Sequence, residues 1–388
     1  MKKITVVGRG TVGVLAVAHF RRHTDWKIDW VYDPSIMPAA VGEGTNMVLP
    51  KSLYENINFD STDMEQLSAT AKFGIWKRGW GSGKEYKHTF PAGAYGIHFN
   101  ATIFQEYLFN KLIQDKRITT IENNSTDYEK LDSDYVMVCT GSPVTAASKE
   151  YIKRTSIPVN SAKVFQCPWE YDKFNYSLTF AKKFGWIFGI PLKNRCAIGY
   201  LYNNSLNTEA EVTEDVQDVL SEFNLIPSVT RNLVFENYSR IYNFTKRVVY
   251  NGNASFFLEP LEATSTSFAD LIIRMSLDMW KGGMSVDSAQ LMYDRVLDEI
   301  ESMIALHYFS GSVYDTPFWK YANKLAVKQI EKEIENDGAF ADILRRALNH
   351  NSYTFNPSNH VGSWPIRSFV QNIDGLDIRE KLNMMLRV

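Results

Sequence analysis

Three groups of residues in this chain have the types and spacing to do chemistry. Glu259 and Glu262 lie in Phe257-Leu258-Glu259-Pro260-Leu261-Glu262-Ala263-Thr264-Ser265, just ahead of a helical pattern over Phe268 to Met279. The unpaired N–H groups of a helix's first turn stabilise carboxylates placed there, and the same N–H groups can hold an anion. Lys72 stands between Ala71 and Phe73 at an element boundary, either as a solvated surface amine or as one aimed into a pocket. The third group is Gly8-x-Gly10-x-x-Gly13, which encloses Thr11 and Val12 and follows the β-branched run Lys3 to Val7. A helical stretch from Val14 to Arg22 and a second β-like run from Lys27 to Tyr32 lead on to Asp33. In such a unit Gly8 permits the tight turn, Gly10 lets backbone approach a pyrophosphate, and Gly13 lets helix and strand pack closely. Asp33 is spaced to accept from a ribose, so a dinucleotide is implied, with FAD and NAD both open.

The elements that must position these groups follow in order. Gly42-Glu43-Gly44-Thr45, after Ala39-Ala40-Val41, is either an ordinary connection or a strap lying against a cofactor. Ser61 to Ala71 reads as a helix with Asp60 or Ser61 as its cap, and Trp80-Gly81-Ser82-Gly83 as a flexible loop. A helix is expected over Thr102 to Asp115, and the strand Asp134 to Cys139 ends in Thr140-Gly141 at a cofactor crevice. From Pro158 to Ile241 strands dominate (Leu178 to Phe180, Trp186 to Ile190, Arg195 to Leu201, Asn232 to Tyr238), with one helix over Val212 to Phe223. Val248 to Ser255 is a strand and loop containing Gly252-Asn253. Helices over Ser288 to Leu306, Trp319 to Glu335, Phe340 to Leu348 and Asp374 to Leu386 complete the chain.

Composition bounds the partners. In 388 residues there are 42 basic and 44 acidic side chains, a net charge of −2, so no basic field speaks for nucleic acid or an anionic membrane. No segment is apolar enough to span a bilayer, and Met1-Lys2-Lys3 does not open a signal peptide. Cys139, Cys167 and Cys196 are too scattered for a disulfide framework or a thiolate metal site, and no metal is expected; a reducing cytoplasm fits best. With 23 Phe, 20 Tyr and 9 Trp, the aromatic surplus is either core or the wall of a site for a flat ligand.

Together these stretches resemble the flavin-dependent halogenases of the tryptophan-halogenase type, in a short variant. The glycine pattern and Asp33 match that family's FAD fingerprint, and Gly42-Glu43-Gly44-Thr45 its strap. Lys72-Phe73-Gly74 resembles the segment of its catalytic lysine. His88-Thr89-Phe90 resembles its H-P-F element with Thr for Pro, and the run from Tyr95 to Phe104 carries Asn100 where an acid is common. Trp186-x-Phe188-x-Ile190-Pro191 is similar to W-x-W-x-I-P, Gly252-Asn253-Ala254-Ser255 to G-D-A-A, and Glu259 to Ser265 to the P-L-E-S/A-T-G element. Leu306-His307-Tyr308 and Asp315 to Trp319 also have family counterparts.

The resemblance implies an α/β fold: a Rossmann-like, flavin-monooxygenase-type FAD domain with an inserted antiparallel sheet and a helical region covering the substrate. The expected division is 1–270, with the insert at about 60–105 and 158–245, and 271–388. It implies FAD used as FADH2 and held by Gly8, Gly10, Thr11, Val12, Gly13, Asp33, Gly42, Glu43, Gly44, Thr45, Thr140, Gly141, Gly252 and Asn253. Halide (chloride, bromide or iodide) would sit on Thr264 and Ser265. Lys72 and Glu262 would be catalytic, and His88, Phe90, Trp186 and Phe188 would line a small aromatic substrate of indole or phenol type. One dinucleotide fingerprint implies that a separate flavin reductase supplies FADH2; a homo-oligomer is compatible. A flavin hydroxylase of the same fold and a non-catalytic FAD-binding protein remain open beside this reading.

Overall fold

The computed structural model describes residues 1–36, 42–123, 127–142, 148–170, 174–349, 360–361 and 364–386. Its first layer is a parallel sheet ordered Val248–Tyr250, Tyr135–Val138, Lys3–Val7, Lys27–Tyr32, Ile118–Glu122. The run Ile4-Thr5-Val6-Val7 is central and almost wholly buried, as a continuous β-branched run in a covered parallel strand should be. Helices Thr11–His23 and Ser265–Trp280 lie against this sheet through Val14, Leu15, Ala18, Phe268 and Ile272.

The second layer is a seven-stranded sheet ordered Val229–Val234, Ser161–Pro168, Arg195–Tyr202, Gly185–Pro191, Ser177–Lys182, Gly74–Arg78, Tyr86–Thr89. It is the expected inserted sheet, antiparallel at every junction except the parallel one between Ser177–Lys182 and Gly74–Arg78. That junction joins the two inserts, which enter the sheet from distant parts of the chain. Alternation divides its faces: Ala162, Val164, Trp186 and Leu201 join the main core, while Phe165, Leu178, Phe180 and Ile198 form a second core with Val212, Val216 and Val219.

Several expected elements are redrawn. The helix expected to reach Ala71 stops at Gln66; Asp60 and Asp63 close a reciprocal capping box at its start, and left-handed Ser68 turns the chain into the strand Thr70–Lys72. Val212 to Phe223 is two helices, Glu209–Asp215 and Gln217–Glu222, the first begun earlier by a Thr208–Glu211 capping box. Asn232 to Tyr238 is likewise divided, since Tyr238–Arg240 belongs to a separate small sheet with Tyr151–Lys153 and Phe256–Phe257. Asp374 to Leu386 contains the end of one helix, Ile366–Gly375, and a second, Arg379–Leu386, with left-handed Asp377 between them. Trp80 opens no flexible loop: it is fully buried and its indole Nε1 donates to the Thr179 carbonyl at 3.0 Å. Among the described residues, no helix is long and apolar enough to cross a membrane.

Candidate active site

The glycine turn has the shape of a cradle. Gly8, at φ +114°, lies so close to the next strand that a Cβ there would stand 2.2 Å from the Cys139 carbonyl oxygen; one on Gly13 would stand 2.2 Å from the Gly8 oxygen. Gly10 caps the helix Thr11–His23, and around its absent Cβ, as around that of Gly141, there is open space for 4 Å. Thr140-Gly141 and Gly252-Asn253 follow the strands Tyr135–Val138 and Val248–Tyr250, so both loops come to the same end of the sheet as the glycine turn. Gly252 backs onto Val12, Thr11 Oγ1 accepts from Gln105 at 3.1 Å, and Asp33 follows Lys27–Tyr32 at the surface, bonded to Ser35. Two crowded glycines, two open ones and a free helix N-terminus fit a dinucleotide's phosphates.

The strap is partly committed elsewhere. Ala39 to Val41 lie outside the described residues, and Gly42–Gly44 pairs as a strand with Gly96–Asn100. Glu43 accepts from the Ala101 N–H at 3.0 Å, at the start of the helix Ala101–Leu112; its burial raises its carboxyl well above the usual range. Thr45 is buried, its hydroxyl accepting from Ile97 N–H at 2.9 Å. The strap's backbone is thus paired along one edge, and the Glu43 and Thr45 side chains hold the fold.

Register builds the second part of the site. Ile75 stands opposite His88 and Lys77 opposite Tyr86, so these four share one face. Toward that face comes Glu262, from a turn in which Glu262 (φ 67°) and Ala263 (φ 54°) are both left-handed, unusual for non-glycine residues and a strain typical of functional sites. Thr264 and Ser265 follow it and open the sixteen-residue helix Ser265–Trp280, with no acidic side chain in its first turn.

Glu262 is buried and closely surrounded. Lys77 Nζ bonds to its Oε1, His307 Nε2 lies 3.1 Å from Oε1, Trp364 Nε1 donates to Oε2 at 3.3 Å, and His88 Nδ1 stands 3.3 Å away but out of line for a hydrogen bond. Burial alone would push this carboxyl up; the charge of Lys77 beside it outweighs burial and holds Glu262 well below the usual carboxylate range. Lys72 ends the strand Thr70–Lys72, paired to Gly96, with its Nζ 5.8 Å from the Phe90 ring centre. It makes no hydrogen bond among the described residues. Burial draws its amine down to about 7, opposed by Glu262 and assisted by Lys77. Lys72 and Glu262, nearly two hundred residues apart, are therefore brought within electrostatic reach.

Beside Glu262 is a partly open cavity of about 30 Å³, faced by Ile75, His88, Phe90, Glu262, Trp364 and Arg367, room for about one water; Lys72 lies behind Phe90 and does not line it. His88 is fixed by Ser368 Oγ, 3.0 Å from its Nε2. Trp186 and Phe188 do not line this cavity, contrary to expectation. The Trp186 indole is buried in the main core, where its N–H requires an acceptor and finds Glu259 Oε2 at 3.0 Å and Tyr308 Oη at 2.9 Å. The Phe188 ring lies across Gly199, where a Cβ would come within 2.1 Å of it. Burial pushes the Glu259 carboxyl up to about 8, with Trp186 and Tyr308 opposing. Lys77, Tyr86, Trp364 and Asn372 carry no expected role in the sequence, and His307 only a family counterpart without one. The period-2 pattern through Ile75 and Lys77 was a usable signal for Lys77; nothing local marks the others.

The model of the tryptophan halogenase family matches residues 3–137 and 110–361. The chain belongs to that family. Its curated relatives are distant: tryptophan 6-halogenase ThaL of Streptomyces albogriseolus is 24% identical over 260 residues, 59% of this chain and 48% of that one. Tryptophan 6-halogenase SttH of Streptomyces toxytricini is 26% identical over 180 residues, 44% of this chain and 34% of that one. The chain thus matches half or less of the length of these curated halogenases. The fold is shared more widely: BrvH, a flavin-dependent halogenase from Brevundimonas sp. BAL3, superposes with a TM-score of 0.79 at 18% identity, over 97% of this chain and 90% of that one. The tryptophan halogenase of Shewanella frigidimarina NCIMB 400 gives 0.77 at 16%, over 100% and 93%. This halogenase-family fold accounts for the parallel sheet, the inserted sheet and the helices that close over them.

Proposed function

We propose that this chain uses FADH2 and oxygen to convert halide to hypohalous acid, and places the halogen on an electron-rich aromatic small molecule of indole or phenol type. The observation that carries this reading is the meeting of Lys72, an amine of depressed basicity, with ionised Glu262 beside a cavity faced by His88 and Phe90. FAD, when bound, supplies the oxygen activation. Gly10 and Gly141 leave room for its phosphates while Gly8 and Gly13 let the turn pack closely, with Asp33 at the ribose end and the strap and Gly252-Asn253 toward the flavin. Thr264 and Ser265 offer free helix-terminal N–H groups to chloride, bromide or iodide. Lys72 holds and aims the hypohalous acid, by hydrogen bonding or as a haloamine. Glu262 takes the proton that the ring loses; a halogenated ring cation is so acidic that even a weak base suffices. FADH2 comes from a separate flavin reductase. Three free, buried cysteines suit a reducing cytoplasm.

The test supplies the purified chain with FAD, NADH, an added flavin reductase, bromide and a panel of indoles and phenols, and reads product masses. A bromine isotope doublet that disappears without the reductase is expected. A gain of one oxygen instead marks a hydroxylase, and flavin binding without any product marks a non-catalytic protein; either overturns the proposal.

A further inference from the structure

Lys77 has no part in the chemistry assigned above, yet it is the closest cation to Glu262 among the described residues. Its Nζ faces three acceptors: Glu262 Oε1, His307 Nε2 at 2.6 Å and Asn372 Oδ1 at 2.8 Å. His307 Nδ1 lies 2.9 Å from the Met303 carbonyl oxygen, which can only accept, so Nδ1 carries the proton and Nε2 of the neutral ring offers a lone pair. Three acceptors require three N–H groups, which an ammonium has and a neutral amine lacks. Burial lowers both the Lys77 amine, with Glu262 opposing, and the His307 imidazole, and the amine is the stronger base of the two, so the proton belongs to Lys77. Lys72, on the strand before it in the chain, has no such cage among the described residues: its amine faces the Phe90 ring and, further off, Glu262, Lys77, His88 and His98.

We propose that Lys77 is a positioning residue, an inference that rests on the halogenase reading: it is the fixed counter-cation that keeps Glu262 ionised and oriented, leaving Lys72 free to shed its proton and meet hypohalous acid as a neutral amine. The other ionisable groups facing this pair permit that division. Tyr86 stays a neutral phenol because burial and then Glu262 disfavour its anion, and burial disfavours the charged forms of His88, His98 and His307. Arg367 faces the cavity from the helix Ile366–Gly375 and donates to Thr89 Oγ1 at 3.3 Å. With Glu262 already paired to Lys77, burial and the Lys77 charge favour the free amine at Lys72, and only the outlying attraction of Glu262 opposes them.

The test is an NMR titration of the full chain carrying ¹³C,¹⁵N-lysine, from about pH 5.5 to 9, with Lys77→Met and Lys72→Met identifying the two signals. A Lys77 ammonium that persists throughout is expected, together with a Lys72 signal that titrates near neutrality. In Lys77→Met, Glu262 loses its counter-cation and Lys72 loses the repulsion of Lys77, so the Lys72 midpoint is expected to rise by about one pH unit or more, and the acid limb of the halogenation pH profile with it. A purely structural Lys77 would lower activity without moving either midpoint, and that result overturns the inference. If Lys77→Met does not fold, the wild-type titration decides: a Lys77 that titrates near neutrality beside a permanently charged Lys72 overturns it. Titrations of the expected kind in a chain that halogenates nothing would instead overturn the halogenase reading and leave the placement of charge standing.

Discussion

At the scale of single residues, the site is a problem of burying charge. Lys72→Met keeps the side chain's volume and removes only the amine, so halogenation is expected to fall at least about a hundredfold while flavin binding and melting temperature are preserved. If the free amine is the active form, the wild-type rate should climb about tenfold per pH unit below a midpoint near the Lys72 value of about 7 and level off above it. Glu262→Gln should also abolish product formation, but at a structural cost. It strands Lys77, whose side chain is fully buried, without its counter-charge, and about 3–5 kcal/mol of stability should be lost. Denaturant melts of Glu262→Gln and of the Glu262→Gln/Lys77→Met double variant check this; the double variant should recover much of the loss. In the glycine turn, Gly10→Ala meets nothing within 4 Å and should fold normally while weakening FAD binding, whereas Gly13→Ala drives a Cβ into the Gly8 carbonyl and should damage the fold itself. Flavin fluorescence titration beside thermal melts separates the two. Much of this was readable in the chain, because glycine spacing and a lysine among apolar neighbours are local signals. The Lys77 cage was not, since its three acceptors come from residues 262, 307 and 372, and only the folded chain brings them together.

At the scale of elements, the strands and long helices followed their periodicity, and the errors collected where polar caps and left-handed turns intervene. Asn100 shows this. It stands where the resemblance leads one to expect an acid, and its side chain caps the helix Ala101–Leu112 by accepting from the Thr102 N–H at 3.1 Å. Trp186 shows the converse: its alternation with Phe188 was legible, but not the Glu259 and Tyr308 acceptors that hold its indole in the core. That junction ties the strand Gly185–Pro191 to the turn before Glu262 and to the helix Val286–Ser310, and it makes stability depend on pH. Glu259 has a folded value of about 8 against an ordinary 4.5, so between these values the native state keeps a proton that the unfolded chain has released. Stability should therefore fall as pH rises from about 4.5 toward 8, by an amount on the order of a few kcal/mol. Glu259→Gln retains a carbonyl oxygen for Trp186 and Tyr308 and cannot ionise, so its unfolding free energy should lose most of that slope. Denaturant melts at a series of pH values would show it, and an unchanged slope would place the effect on another group.

At the scale of the whole molecule, the apolar core runs across the expected division at residue 270. One apolar core takes in Ile4 and Val6 of the first strand, Phe268 and Ile272, and then Leu297, Ile304, Phe318, Phe340, Phe369 and Leu382 of the helices beyond residue 271. The site depends on that continuity. Its strands come from the insert, its carboxylate from the turn after the parallel sheet, and Trp364, Ser368 and Asn372 from the late segment of the chain. A helical cover that melted first would take with it the partners of Glu262, His88 and Lys77. The shared core argues against such early melting, because exposing Phe369, Ile373 and Leu376 also unpacks the strand Tyr86–Thr89, with Gly375 seated against the Tyr86 ring. Calorimetry of the full chain should therefore show one main transition. Hydrogen exchange should report similar opening free energies for the helices Val286–Ser310 and Ile366–Gly375 and for the strand Lys3–Val7. An earlier transition confined to residues 271–388 would show that the cover is an independent unit, and would make the electrostatics of Glu262 conditional on its closure.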